Sequence, residues 1–198
     1  MANTNAPFGF VSARAGSGII PGRYEEKEIA TGLAVNIFEG DIVKTDATLG
    51  ITVAAATDGY LGVFKGVRYV DSNGDIRFSN KWVTGTTLKS GTRAWALVDT
   101  DPLMRYRVQT SGTIADTDIG RKVDLVATAG DSLSGRSRFS VGSPGSKTQF
   151  RVERIIREPQ RVVDAGNNTT GYQISDAGQY AVVEVSLVLQ ETIRGTEV

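Results

Sequence analysis

The residues from Asp41 to Val83 form a series of short apolar runs separated by turn residues. The runs are rich in Val, Ile, Tyr and Phe, and Gly, Asn or Asp stands at each break. This pattern is typical of antiparallel strands joined by tight turns. Asn73-Gly74 is the strongest turn signal, because the pair supplies the positive φ angles of a type I′ turn. The sequence therefore predicts a hairpin with strands over residues 67–70 and 76–78.

The rest of the chain continues this pattern. Met104, Tyr106 and Val108 alternate with polar residues, which predicts a half-buried strand. Further strands are expected near residues 33–43, 92–98, 123–127, 137–141 and 149–156, and the longest apolar run is 181–189. Residues 114–120 are the only plausible short helix, with acidic residues near its start and a glycine at its end. The sequence predicts an all-β protein with antiparallel sheets, either a barrel or a sandwich.

The composition argues against an enzyme. The 198 residues include 23 glycines but no histidine and no cysteine. This removes imidazole bases, thiolate nucleophiles, disulfides and the usual zinc ligands. Two motifs come close to functional patterns and fail. The stretch 142–148 lacks the glycine that precedes lysine in a phosphate loop, and 71–75 is too short for a calcium loop. We therefore expect no catalytic residue, no metal and no cofactor.

The charge balance indicates which partners to expect. Twenty-two basic residues balance 22 acidic ones, so no overall charge favours nucleic acid. No stretch approaches the ~20 apolar residues of a membrane span, and the first residues do not resemble a signal peptide. Residues 1–60 are mainly acidic and 121–161 mainly basic, which suggests pairing within a subunit, between subunits, or with the surface of another protein. Arg151, Arg154 and Arg157 in the basic block are candidate contacts for an acidic partner surface.

Residues 1–23 are predicted to form an extended arm, followed by a β domain over residues 24–198. The arm is rich in glycine and proline and has only isolated apolar side chains. Phe8, Phe10, Ile19 and Ile20 are therefore candidate partner contacts. The two tryptophans, Trp82 and Trp95, favour a core or subunit-contact role over stacking on a sugar.

Several segments together resemble the capsid decoration, or cement, proteins of tailed bacteriophages. They are residues 1–10 (MANTNAPFGF), 40–43 (GDIV), 61–67 (LGVFKGV), 118–124 (DIGRKVD) and 135–137 (GRS). The similarity covers most of the chain, but residues 16–24 and the basic block after Gly142 depart from it. These motifs are strand and turn patterns, and the family has no catalytic residues to carry over.

The resemblance implies a capsid cement protein on the outer surface of the phage head. Such a protein has a barrel or sandwich of jelly-roll or β-tulip-like type with an extended N-terminal arm. Its partners are the major capsid protein and copies of itself, here expected as a homotrimer, with no direct contact to nucleic acid or membrane. Two alternatives remain open. One is a head-fibre base or host-glycan-binding module, and the other is a tail-tube or head-completion protein.

Overall fold

The computed structural model describes residues 3–15, 24–29, 32–48, 50–145, 149–157, 159–163, 169–174 and 176–188. It confirms the all-β expectation: every pair of strands within these ranges is antiparallel, and the fold contains a closed barrel. The strands are β1 (Val11–Ala15), β2 (Tyr24–Ile29), β3 (Ile37–Phe38), β4 (Ile42–Asp46), β5 (Gly50–Val53), β6 (Gly62–Val70), β7 (Ile76–Ser79), β8 (Lys81–Trp82), β9 (Ala94–Asp99), β10 (Met104–Gln109), β11 (Thr113–Ile114), β12 (Lys122–Val123), β13 (Leu125–Val126), β14 (Ser140–Val141), β15 (Phe150–Ile155), β16 (Pro159–Val163), β17 (Thr169–Ile174), β18 (Gly178–Gln179) and β19 (Val182–Leu187).

Five strands close into the barrel in the order β4-β5-β2-β9-β6, and β6 pairs back to β4. β7 pairs with β6 outside this ring. Along β9, Ala94, Ala96 and Val98 are buried while Trp95 and Leu97 are half-buried, as the period of two requires. A barrel of five strands has a narrow interior, so small side chains on one strand make room for larger ones on others. Phe64, Val67 and Trp82 supply that bulk.

A second sheet, β1-β10-β19-β15-β12, shares a core cluster with Ile42 of β4 and Val63 of β6 in the barrel. Met104, Tyr106 and Val108 are fully buried on its inner face, which confirms the alternation predicted for this strand. The core beneath contains a stack of three rings. Phe150 lies between Phe10 and Tyr60, with both ring centroids 5.0 Å away. Just after β10, Thr110 forms a bridge with Val141, which links this sheet to the β13–β14 pair.

The predicted hairpin is present, but the predicted type I′ turn is wrong. β6 and β7 pair with Val70 opposite Ile76. Only Gly74 has a positive φ, at 93°, whereas a type I′ turn also needs a positive φ at Asn73. Asp71 instead accepts hydrogen bonds from the amides of Asn73 and Asp75 through its Oδ1. This side chain stabilises a three-residue loop ending in glycine, the next most common hairpin connection.

The predicted short helix is reduced to a single 3₁₀ turn, Asp116–Asp118. Asp118 accepts a hydrogen bond from the Ala115 amide at 2.8 Å and pairs with Arg121 at the same distance. These contacts close the turn without a longer helix. Ile119 follows with an extended backbone and ends the turn, one residue before the predicted glycine stop at Gly120.

The N-terminal segment is extended, as expected, but its described part packs on its own domain. Residues 3–10 run without regular structure, and β1 then pairs with β10. The Phe10 ring is 1% exposed in the core, and Gln109 bonds to the backbone of Thr4 and Ala6. The prediction that Phe10 contacts a partner is therefore corrected, because its ring packs against Phe150 in the core of the same chain. Ile19 and Ile20 lie outside the described residues.

Candidate interaction site

The described residues hold no group of three or more acidic side chains placed to bind a metal ion. Asp71, considered above for calcium, is instead paired with Arg77 at 2.7 Å. Within the same ranges, no helix has the length and apolar character needed to cross a membrane. The features described next are surfaces and cavities.

The turn from Phe38 to Asp41 is the point where separate parts of the chain meet. Its Gly40 carbonyl accepts the Phe10 amide at 3.0 Å, and the Gly40 amide donates to Phe64 at 2.9 Å. The Glu39 carbonyl accepts the Ser137 amide at 2.9 Å. We call this region the junction, defined as residues 8–11, 38–41, 64–65 and 135–137.

The junction depends on two glycines. Gly9 and Gly40 have φ angles of 75° and 93°, which side chains rarely adopt. A Cβ atom on Gly9 would lie 2.4 Å from the Cβ of Ser137, so the two segments approach too closely for any larger residue. Four of the five segments that carry the capsid resemblance meet here. Sequence reasoning identified the segments but not their proximity, because no local pattern encodes it.

Asp41 is the most perturbed acid of the junction. It is 2% exposed, and its Oδ2 accepts the Phe38 amide at 2.8 Å. Burial raises its pKa to about 6, and hydrogen bonds from Ser137 and Phe38 only partly oppose this. Its other oxygen, Oδ1, has no hydrogen-bond partner and is itself buried. Asp41 therefore holds the turn together at an electrostatic cost.

A cavity of about 300 Å³ opens beside the junction. Phe8, Phe10 and Val11 form an apolar wall, and Glu39, Lys65 and Arg136 supply charge. Lys65 is the extra residue of a β-bulge, because β6 and β9 change register between Phe64 and Gly66. Bulges turn a side chain away from the regular alternation of a strand. Here the bulge brings a lysine to the cavity wall, where the half-buried Phe8 also lies.

The three candidate arginines make ion pairs within the chain. Arg151 pairs with Glu153 at 2.9 Å, and Arg154 pairs with Glu184 at 2.8 Å. Arg157 contacts both Asp116 and Asp176. These acids lie in residues 116–184, so the acidic first 60 residues are not the partners seen in these contacts. The guanidinium groups stay partly exposed, with side-chain exposures of 43–53%.

Glu184 lies at the centre of this charged surface and its side chain is 0% exposed. Arg154 covers it from β15, and Arg105 approaches it to 3.6 Å from β10. Arg105 also lies 3.6 Å from Glu153, which accepts the Ser186 hydroxyl at 2.7 Å. Such a network stabilises the outer face of the sheet and leaves the arginines only partly available to a partner.

The exposed apolar side chains cluster partly on the β6–β7 hairpin. Phe78 is 75% exposed and Ile76 is 65% exposed, both on β7. β7 forms the end of its sheet, since β6 is its pairing partner among the described strands. An edge strand with apolar side chains favours contact with another chain. Sequence reasoning identified this hairpin but assigned it no role.

The tryptophans differ in position. Trp82 is 2% exposed in the barrel core, where its ring contacts Tyr69 edge-on at 6.0 Å. Trp95 is half-buried on the outer face of β9, in a groove of about 170 Å³ with Arg68 and Arg93. Trp82 is thus a core residue, and only Trp95 is accessible to a ligand.

Comparison of the chain with protein-family models, with curated proteins and with solved structures finds no match. Any function must therefore be argued from the site itself.

Proposed function

We propose that this protein is a phage capsid decoration protein. It binds the outer surface of the assembled head and joins neighbouring major capsid protein subunits. The observation that carries this proposal is the exposed edge strand β7, whose Ile76 and Phe78 are 65% and 75% exposed. The resemblance of the junction segments to cement proteins supplies the partner, and the absence of histidine and cysteine argues for a structural role.

The physical basis is linkage. A protein that binds the expanded shell more tightly than any other state stabilises that shell by mass action. Many copies add small contributions around one particle. A homotrimer that bridges subunits on the outer surface of the virion fits this role, and the trimer is part of the proposal.

Heating separates this proposal from its alternatives. Virions that lack the protein should release DNA at a lower temperature, and in chelator at lower stress, than complete virions. Adding the purified protein back should restore resistance. Depleted particles that keep full resistance to both treatments would show that cementing is the wrong function.

The contribution of β7 is tested with a matched pair of variants. Phe78→Asp should abolish binding to expanded shells, because it places a charge in the apolar contact. Leu103→Asp is the control, since Leu103 is 64% exposed in the turn after Asp99. Asp99 pairs with Val63 of β6, whereas β7 pairs with the other half of β6. Equal loss of shell binding in both variants would exclude β7 as the specific contact.

A host-glycan-binding module is the second candidate, and Trp95 favours it. Its half-buried ring lines a groove with Tyr69 and Arg93, and tryptophan faces stack well on sugars. Glycan binding that is lost in Trp95→Ala, together with unchanged heat resistance of depleted virions, would favour this function over cementing.

A further inference from the structure

The cavity beside the junction contains two cationic side chains without an ion-pair partner in the described part of the chain. Lys65 is half-buried and Arg136 is exposed, and both line the cavity. Among the described acids, Asp99 and Glu39 attract Lys65, but neither forms an ion pair with it. By contrast, Arg68, Arg77, Arg105, Arg121, Arg151, Arg154 and Arg157 all pair with acids.

The position of Lys65 is unfavourable for a lysine. Burial lowers its pKa, because the charged ammonium loses contact with water. The β-bulge nevertheless holds it at the cavity wall, next to the Gly66 backbone. Asp99 is the acid with the stronger electrostatic effect on Lys65. Its Oδ2 already accepts a hydrogen bond from the Ser12 hydroxyl at 2.9 Å. An anion entering the cavity would relieve this cost.

The residues that line the cavity indicate which kind of anion would fit. Phe8, Phe10 and Val11 form one apolar side, suited to the aliphatic stem of a ligand. Lys65 and Arg136 supply donors for its charged end, and Arg136 offers a planar fork that matches a carboxylate. Glu39 in the wall and Asp99 near Lys65 oppose the two cations, which favours a singly charged carboxylate over a divalent anion.

We propose that this cavity binds a carboxylate, presented by an acidic side chain of a partner protein, through Lys65 and Arg136. As a contact with the capsid shell this inference rests on the proposed function. As a carboxylate site it stands independently of it. Phe8 then contributes to partner recognition as part of the wall, while Phe10 supports the wall from the core.

The test is an NMR titration of the full chain with a blocked glutamate, N-acetyl-glutamic acid N-methylamide. Saturable shifts are expected at the Lys65 side chain and at the Gly40 and Gly66 amides. The Lys65→Met variant should bind at least about tenfold more weakly, as expected for loss of one charge-assisted hydrogen bond. Lys89→Met is the matched control, because Lys89 is exposed on a loop that does not line the cavity, and it should bind normally.

Two further probes define specificity. The blocked glutamine, which has the same shape without the charge, should give no saturable shift. Inorganic phosphate should bind more weakly than the blocked glutamate. Equal binding of glutamine, tighter binding of phosphate, or unchanged binding in Lys65→Met would each overturn the proposal.

Shell binding separates this inference from the proposed function. If the wild-type chain binds blocked glutamate but not shells, cementing fails and the carboxylate site stands. If the Lys65→Met variant binds shells as well as the wild type does, and the wild type does not bind blocked glutamate, the carboxylate site fails and cementing stands.

Discussion

At the scale of single residues, the junction combines two kinds of local cost. The carboxylate of Asp41 is buried away from water. At Gly9 the backbone lies so close to Ser137 and Gly40 that no side chain fits between them. Both are tolerated because the surrounding hydrogen bonds hold the turn in one conformation. Each cost can be measured separately.

The Asp41→Asn variant should gain stability relative to the wild type as pH rises. The folded pKa of Asp41 is about 6, above its ordinary value of 3.8, so the folded state binds its proton more tightly. The stability that this provides is complete below pH 4 and is lost as pH rises through 6. The variant's relative gain between pH 3.5 and pH 8 should be about 3 kcal/mol, measured by urea denaturation.

Asp131→Asn is the control for this prediction. Hydrogen bonds from the Leu133 amide and the Ser134 hydroxyl lower the pKa of Asp131. Its contribution to stability is therefore present at neutral pH and is lost as pH falls, the opposite dependence. An Asp41→Asn variant whose relative stability does not change with pH would show that Asp41 is not buried as described.

Gly9→Ala should destabilise the protein more than Gly85→Ala. Both glycines have positive φ angles, 75° and 81°, so both substitutions carry a backbone cost of about 1–2 kcal/mol. A Cβ on Gly85 would meet nothing within 4 Å, whereas one on Gly9 would overlap Ser137. Thermal denaturation should show the larger loss for Gly9→Ala. Equal losses would mean that the junction accommodates the extra Cβ atom with no additional loss of stability.

At the scale of elements, the N-terminal segment belongs to the β domain as far as the structure describes it. β1 adds a strand to the second sheet, and Phe10 completes its aromatic stack. An arm that only contacted partners would be removable without loss of stability. The structure predicts the opposite for residues 3–15.

Phe10→Ala should therefore lower the free energy of unfolding by about 3–5 kcal/mol, the usual cost of emptying an aromatic site in a core. Phe78→Ala, at an exposed position, should change it by less than about 0.5 kcal/mol. The measurement is chemical denaturation of both variants. A stable Phe10→Ala protein would restore the interpretation of this segment as a free arm.

The charged surface of the second sheet should depend on its buried member. Glu184→Gln should cost about 1–2 kcal/mol, because it weakens the charged contact with Arg154 while the guanidinium groups of Arg154 and Arg105 stay partly exposed to water and Arg105 keeps its contact with Glu153. Asp176→Asn removes a partner of Arg157 at an exposed site and should have little measurable effect. If the two variants unfold at the same denaturant concentration, the network contributes no more than surface pairs do.

At the scale of the whole molecule, one cluster of buried side chains joins the barrel to the second sheet. Ile42, Tyr60 and Val63 from the barrel side pack with residues of the second sheet. The β6–β7 hairpin and the cavity share strand β6, which supplies Lys65 to the cavity and pairs with β7.

We expect three copies of this chain around each occupied position on the capsid. Electron microscopy of virions should show protrusions with three-fold symmetry, and these should be absent from depleted particles. Single, unsymmetrical protrusions would contradict the trimer while leaving the cement function in place.

The local patterns of the sequence were sufficient for most of the longer strands, but β1, β16 and β17 were not predicted. The alternation at Met104, Tyr106 and Val108 and the hairpin around Asn73-Gly74 appear in the structure because each depends on neighbours only a few residues away. The turn type was missed because Asp71 bonds to the loop backbone, a choice that the Asn-Gly signal does not reveal.

The tertiary structure alone decided which segments meet. Phe10 is an isolated apolar residue in the sequence, and only its contact with Phe150, 140 positions away, makes it part of the core. Similarly, Arg154 reads as a free cation until strand pairing brings Glu184 beside it. Lys65 reaches the cavity through a bulge that arises from the register of β6 and β9. These contacts depend on long-range pairing, which short-range hydrophobic periodicity does not specify.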